Sequence, residues 1–231
     1  MVQKAKISEN KNDGDCHQIN IDKIFELLEK EQDKKSQFVA YMDTNTDPFK
    51  TLIACILSLR TKDETTYGAT IRLFNLANNA YDFLNFSPDE IEKAIYPVGF
   101  YRRKSIQILE ICSDIVNKYN GKVPDEIDEL LKLKGVGRKT ANLVVAKGYN
   151  KPAICVDVHV HRISNRIGMV KTKTPDDTEM ELRKTLPLKY WPKINDYFVT
   201  HGQNTCKPIH PKCEICIIND YCCKVVVTTI L

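Results

Sequence analysis

LKGVGRKTAN, residues 133–142, sits where two helical patterns meet, and its reading decides the fold. The preceding segment VPDEIDELLK (123–132) has apolar residues at helical spacing, which predicts a helix over about 125–133. Gly135-Val136-Gly137 then forms a three-residue turn, and a second helix starts at Arg138. Two glycines around one apolar residue let the chain reverse sharply and keep backbone N–H groups clear of side chains. Such a nest at a helix start suits a phosphate. Lys132, Lys134, Arg138 and Lys139 add local positive charge. The alternative is an ordinary tight hairpin with a solvated basic rim. The nucleotide-binding pattern G-x-x-x-x-G-K-[ST] is absent.

Outward from the hairpin the chain reads as helix after helix. IDKIFELLEKE (21–31) places Ile21, Ile24, Phe25 and Leu28 on one face. DPFKTLIACILSL (47–59) opens with Asp47 and Pro48 at cap and first-turn positions before a nearly continuous apolar run. SPDEIEKAI (87–95) begins with a capping box, Ser87 to Glu90. KSIQILEICSDIVNKYNG (104–121) carries Ile108, Leu109, Cys112, Ile115 and Val116 at helical spacing, and Gly121 stops it. TPDDTEMELRKTL (174–186) repeats the pattern with a Thr174 cap and Pro175. Only VVVTTIL (225–231) has strand composition, and it fits an apolar tail packed on the core equally well. The expected fold class is all-α.

The 231 residues are 42% hydrophobic, enough for a substantial core. The formal charge of +4, from 34 Lys plus Arg against 30 Asp plus Glu, is too mild to imply nucleic acid by itself. No apolar run reaches the roughly 18 residues of a membrane span, and the first residues lack the apolar stretch of a secretory signal. The expectation is an intracellular protein with a solvated tail over residues 1–18.

In a reducing compartment, clustered cysteines point to metal rather than disulfides. CKPIHPKCEICIINDYCC (206–223) places Cys206, Cys213, Cys216 and Cys222 in a C-x6-C-x2-C-x5-C pattern. Four thiolates hold either tetrahedral zinc or an iron–sulfur cube, and spacing does not choose between them. Cys223 is surplus, as are Cys16, Cys55, Cys112 and Cys155, the last three in apolar contexts that suit core residues.

AICVDVHVHRISNRIG (153–168) delivers Asp157 at what reads as a helix N-terminus. Alone, it would be an N-cap. With Lys139 it suggests chemistry: an amine kept neutral by burial or nearby cations is a nucleophile, and a neighbouring carboxylate stabilises a cation or moves protons. His159 and His161 flank the same turn, where a structural hydrogen-bonding role is the simpler reading.

Taken together over residues 20 to 223, these stretches resemble the endonuclease III family of DNA glycosylases, in the helix-hairpin-helix superfamily. The likeness rests on LKGVGRKTAN, VDVHVHRISNR (156–166) and the cysteine pattern, with DPFKTLIACILSLRTKD (47–63) and VGFYRRK (98–104) similar to that family's DNA-facing loops. The resemblance implies a [4Fe-4S] cluster on Cys206, Cys213, Cys216 and Cys222. It also implies two helical domains flanking a DNA-binding cleft. Residues 41–150 would form a six-helix barrel with the helix-hairpin-helix at 125–148, and residues 19–40 plus 151–231 the cluster domain.

The implied activity is that of a bifunctional glycosylase and abasic-site lyase excising oxidised pyrimidines in base excision repair. Lys139 would attack the sugar C1′ and form a Schiff base, β-elimination would cut the strand, and Asp157 would stabilise the cationic sugar. Gly135, Val136, Gly137 and Arg138 would hold DNA phosphate, Arg60 would probe the gap and Phe100 would wedge into the stack. In the loop KPIHPK, Lys207 and Lys212 would face phosphates. The implied partner is double-stranded DNA with damaged bases or abasic sites. The implied protein is a monomer without membrane association, cytoplasmic and nucleoid-associated if prokaryotic.

The chain departs from the family pattern with Arg60 where Gln is usual, Phe100 where Leu is common, Lys134 where Pro is usual and Leu131 where a Glu is common. Arg60 leaves open a mismatch glycosylase acting on T·G or U·G, although such relatives usually lack the lysine. A non-catalytic DNA-binding module stapled by metal is the third alternative.

Overall fold

The computed structural model describes residues 19–44 and 46–225, so the expected tail 1–18, Cys16 and residues 226–231 lie outside the described residues. Among the described residues there are twelve α-helices and no strand, in keeping with the all-α expectation. They are α1 (Ile21–Glu29), α2 (Gln37–Thr44), α3 (Pro48–Ser58), α4 (Asp63–Phe74), α5 (Ala80–Phe83) and α6 (Pro88–Ile95). The second half holds α7 (Tyr101–Tyr119), α8 (Ile127–Leu130), α9 (Arg138–Leu143), α10 (Val158–Ile167), α11 (Pro175–Thr185) and α12 (Ile194–Asn204). None is long and apolar enough to cross a membrane.

The helix starts follow the capping chemistry written in the sequence. Asp47 Oδ1 accepts from Phe49 N (2.8 Å) and Lys50 N (3.1 Å). Ser87 and Glu90 close a reciprocal box, and Thr174 Oγ1 accepts from Asp177 N (3.1 Å). Each such cap is worth about 1 kcal/mol.

Two hydrophobic clusters organise the helices. The first joins α3 to α9 around Leu52, Ile53, Ile56, Phe83, Ile91, Ile108, Ile111 and Val144. The second joins α1 to α10–α12 around Ile24, Phe25, Leu28, Val160, Ile163, Leu182 and Phe198, with Ile218 from the cysteine-rich segment. Phe38 and Met42 of α2 pack on Ala54 and Cys55 of α3 in a smaller third cluster. The division expected at residues 40/41 therefore falls inside a helix, α2. Cys55, Cys112 and Cys155 are buried core residues, and Leu131 packs against the first cluster.

The hairpin is tighter than its sequence suggests. Regular α-helix stops at Leu130, and i→i+3 bonds carry the chain onward: Lys132 N to Glu129 O (3.1 Å), Leu133 N to Leu130 O (3.1 Å) and Val136 N to Leu133 O (3.1 Å). Gly135 sits at φ +74°, where a side chain would be strained and would also strike Gln107. Beyond α9, a π-helical turn over Val144–Gly148 replaces the last α turns.

Candidate active site

Lys139 is the second residue of α9 and Asp157 is the N-cap of α10, so each core contributes one half of the pair. Asp157 divides its oxygens between two tasks. Its Oδ1 accepts from His159 N (2.8 Å) and Val160 N (2.9 Å), and its Oδ2 lies 3.9 Å from Lys139 Nζ. Both side chains face a cleft of about 200 Å³, room for a single six-membered base. Its walls come from α2 (Phe38, Val39, Met42), the α3–α4 connection (Ser58, Thr61, Asp63) and α12 (Asn195, Asp196, Val199, Gln203).

Burial opposes the Lys139 ammonium, but the Asp157 carboxylate, with smaller contributions from Cys155, Cys55 and Asp63, outweighs it and holds the lysine pKa above its ordinary value. The sequence reading expected an amine kept neutral, and here the resting group is an ammonium. The cause is local: the nearest charge is an anion, while the Arg138 guanidinium is directed elsewhere. Nucleophilic attack by this amine would therefore begin with loss of a proton.

Arg138 was expected among the DNA contacts, and this requires correction for its side chain. Its Nε and Nη2 donate to Glu179 at 3.0 and 2.7 Å, a fork onto a carboxylate that is 2% exposed. Arg183 joins the same carboxylate (3.0 Å) and donates to Asn142 Oδ1 (2.9 Å), so the network ties α9 to α11. Val136 is likewise a core anchor at 6% exposure, with its N–H committed to Leu133 O. What the hairpin offers to solvent is backbone. No side chain caps α9, and a Cβ on Gly137 would meet no atom within 4 Å. Lys132 and Lys134 are exposed and paired with Glu129 and Glu110.

Arg60 and Phe100 project from neighbouring loops, each in the left-handed region (φ +53° and +58°), with the guanidinium 5.7 Å from the ring centroid. His161 Nδ1 meets Thr178 Oγ1 (2.7 Å), a structural tie between α10 and α11. His159 lines the cleft; burial lowers its pKa, and its Nδ1 accepts from Arg162 Nη2 (3.1 Å).

Sequence reasoning missed the α12 wall. Its signal was present as Asn195, Val199 and Gln203 at successive i, i+4 positions, a mixed stripe on a helix that otherwise reads as buried. Asp196 beside it shares Lys147 with Asp43, and Lys35 also pairs with Asp43. No local motif relates those four residues.

Cys206, Cys213, Cys216 and Cys222 line one small cavity of about 40 Å³, closed on the inside by Ile163, Ile167 and Ile218. Among the described residues, no three His, Cys, Asp or Glu side chains converge tightly enough for a single metal ion. Tetrahedral zinc, with Zn–S near 2.3 Å, would draw its thiolates to within about 3.8 Å of one another. Four thiols spread around a cavity suit the corners of a cube. Donors already face the sulfurs: Arg166 Nη1 is 3.4 Å from Cys206 Sγ and Lys224 N is 3.4 Å from Cys222 Sγ. Burial pushes the Cys216 thiol up to about 11, so bound metal charge is what would keep it ionised.

Comparison with known proteins agrees with this geometry. Residues 53–188 match the family described as HhH-GPD superfamily base excision DNA repair protein, and residues 206–222 match the iron–sulfur binding domain of endonuclease III. Endonuclease III of Thermotoga maritima is 48% identical over 177 residues, 77% of this chain and 83% of that protein. The chain belongs to the endonuclease III family. As a member it is a base excision repair DNA glycosylase and abasic-site lyase, and it carries a [4Fe-4S] cluster. Among solved structures, a trapped endonuclease III–DNA covalent intermediate superposes with a TM-score of 0.76 at 32% identity, covering 90% of this chain and 97% of that one. A thermostable thymine-DNA glycosylase also gives 0.76, at 25% identity over 87% and 95% of the two chains.

Proposed function

We propose that this endonuclease III-family chain excises oxidised pyrimidines from double-stranded DNA and cuts the resulting abasic strand, with Lys139 as nucleophile. The observation that carries the reading is the Lys139–Asp157 pair, 3.9 Å apart and facing one cleft of about 200 Å³. The glycosidic bond is hidden in a stacked duplex, so the nucleotide must be extruded, and damaged bases are the cheapest to extrude.

With the nucleoside in the cleft, the Lys139 proton passes to Asp157 Oδ2. The Nζ lone pair then bonds to C1′ as the C1′–N bond breaks, its electrons leaving with the base, which takes up the proton from Asp157 and leaves that carboxylate ionised. A proton moves from Nζ to O4′, and cleavage of the C1′–O4′ bond opens the ring to the protonated Schiff base. Loss of a C2′ proton expels the 3′ phosphate, and water releases the amine. The Asp157 carboxylate supports each cationic stage by its charge.

The backbone around Gly135 and Gly137 grips phosphate without reading sequence, which suits damage occurring in any context. Cys206, Cys213, Cys216 and Cys222 would hold the cluster. When bound, it supplies iron–thiolate bonds that fix the C-terminal segment, so that Lys207 and Lys212 face phosphate. Two domains, one built on α3–α9 and the other on α1, α10–α12 and the cysteine segment, flank the cleft, and the protein works as a monomer, in the cytoplasm and on the nucleoid if prokaryotic.

Arg60 supports a second reading, removal of thymine from T·G mismatches, which is in keeping with the likeness to a thymine-DNA glycosylase. Lys139 favours the first. Borohydride added during reaction with thymine-glycol duplex is expected to trap a covalent adduct, and Lys139→Gln to bind DNA without trapping. An adduct of equal yield from that variant removes Lys139 as nucleophile. Preference for T·G over thymine glycol would replace the substrate class.

A further inference from the structure

We propose that Arg60 and Phe100 act as one composite wedge rather than two separate DNA probes, and that Lys104 is the positioning residue that holds it. The inference rests on the reading that the cleft takes a nucleotide out of a duplex. It adds a role for the buried last residue of VGFYRRK, whose side chain faces the protein and not DNA, and a coupling between two loops.

Lys104 lies on the first turns of α7 and is 4% exposed. Its ammonium has three protons, and each finds an oxygen: Leu57 O (2.8 Å), Leu59 O (2.6 Å) and Thr61 Oγ1 (3.2 Å). All three belong to the end of α3 and the loop that presents Arg60. A cation at a helix C-terminus meets the exposed carbonyls there. None of these partners is a carboxylate, and burial pulls the lysine pKa down to about 8. A lysine buried without a counter-ion is a burden on folding, and its position under this loop gives a reason for it.

The second loop is fastened to the same point. Gly99 N donates to Thr61 Oγ1 (3.1 Å), and a Cβ on Gly99 would lie 2.5 Å from Arg60 O, so the two backbones touch. Phe100 and Arg60 are both non-glycine residues at positive φ, a conformation that persists only when surroundings impose it. The imposed result is a guanidinium 5.7 Å from the centroid of a ring that is 61% exposed. Two planar groups with π or cationic faces are thus presented as a unit, suited to stacking on bases. One insertion would fill the gap left by the extruded nucleotide and set the guanidinium against the opposite base.

The test uses the full chain, a duplex carrying one abasic site opposite 2-aminopurine, and the same abasic strand alone. Borohydride trapping measures chemistry on both, and 2-aminopurine fluorescence measures displacement of the opposite base. Lys104→Met is expected to slow trapping on the duplex about tenfold or more while leaving the single strand within about twofold, because only a duplex needs a wedge. Lys104→Arg is expected to recover part of the duplex rate. Arg60→Ala combined with Phe100→Ala is expected to be no worse than the more severe single variant.

Parallel loss on duplex and single strand, a Lys104→Met enzyme indistinguishable from wild type, or effects of Arg60→Ala and Phe100→Ala that multiply would overturn the proposal. If Lys104→Met does not fold, the Arg60/Phe100 cycle and Thr61→Val, which removes the shared acceptor, decide it instead. A wild-type protein that traps neither substrate would refute the lyase reading, a result distinct from all of these.

Discussion

Replacing Asp157 separates two functions that one carboxylate performs. Oδ1 caps α10 through His159 N and Val160 N, and Oδ2 faces Lys139 Nζ at 3.9 Å. Asp157→Asn keeps an acceptor for the cap and removes the charge; Asp157→Ala removes both. Loss of such a cap costs about 1 kcal/mol, so the Ala variant should unfold at lower urea concentration than the Asn variant. The charge effect follows from distance. Coulomb's law at 3.9 Å gives a ceiling of about 4 kcal/mol at an effective dielectric near 20. The Lys139 side chain is 43% exposed, however, so solvent screening reduces this to about 1 kcal/mol, somewhat under one pKa unit. Asp157→Asn should therefore move the rising limb of the trapping rate on preformed abasic DNA to lower pH by roughly that amount. It should also slow release of an intact base more than trapping, since in the proposed mechanism base release adds a developing sugar cation to the stages that trapping shares. Equal destabilisation by the Asn and Ala variants would refute the division of the two oxygens. An unshifted pH profile would refute the ion pair as the control on lysine protonation.

Gly137→Ala should leave the melting temperature unchanged, since φ is −98° and no atom lies within 4 Å of the added carbon, yet weaken duplex binding in a titration. A large fall in stability would contradict the open space seen there. Arg138→Ala should cost about 1–3 kcal/mol in urea unfolding by leaving Glu179 with Arg183 alone, and Arg138→Met with Glu179→Met should recover part of it. Burial raises the Asp196 pKa from 3.8 to about 7, so the folded state binds a proton that the unfolded state has released. Its contribution is full below pH 4 and is lost as pH rises to 7. Burial also works to raise Asp43, but hydrogen bonds from Asp196, Lys147 and Lys35 outweigh it and lower Asp43 to about 2, giving the opposite trend below pH 4. Asp196→Asn should flatten stability between pH 4 and 7, and a variant as steep as wild type would remove Asp196 as the cause. Cys213→Ser should lose iron absorbance and expose the C-terminal segment to protease while trapping persists on single-stranded abasic DNA; intact protease resistance would count against the cluster as a staple.

Helix caps were legible because each is a local pattern: Asp47-Pro48, Ser87 to Glu90 and Thr174-Pro175 all place a side-chain acceptor within three residues of its donor. The hairpin and the four cysteines were legible for the same reason. Lys139 and Asp157 were legible as residues but not in protonation state, which depends on a contact between α9 and α10. Arg138 misled because a basic side chain beside a glycine turn looks solvent-facing, and its partner Glu179 lies on a separate helix. Lys104 carried no local mark: a lysine after two arginines in YRRK reads as surface charge, and only the fold turns it inward under Leu57 and Leu59.

The arrangement of α10 gives a physical reason for joining a glycosylase cleft to a metal-bearing segment. Its first residues carry Asp157 at the cap and His159 in the cleft wall. One turn further on, Arg162 donates to His159 Nδ1 (3.1 Å) and to Cys206 O (2.9 Å). A turn beyond that, Arg166 donates to Lys207 O (2.6 Å) and Pro208 O (2.7 Å). Both guanidiniums thus hold the first cysteine and the loop after it by backbone carbonyls, whose positions a bound cluster would fix. Loss of that restraint would loosen the carbonyls that hold Arg162, whose guanidinium also contacts His159 beside Asp157. A cluster that fixed this segment would thereby also steady the wall next to Asp157, because a single rigid helix carries both.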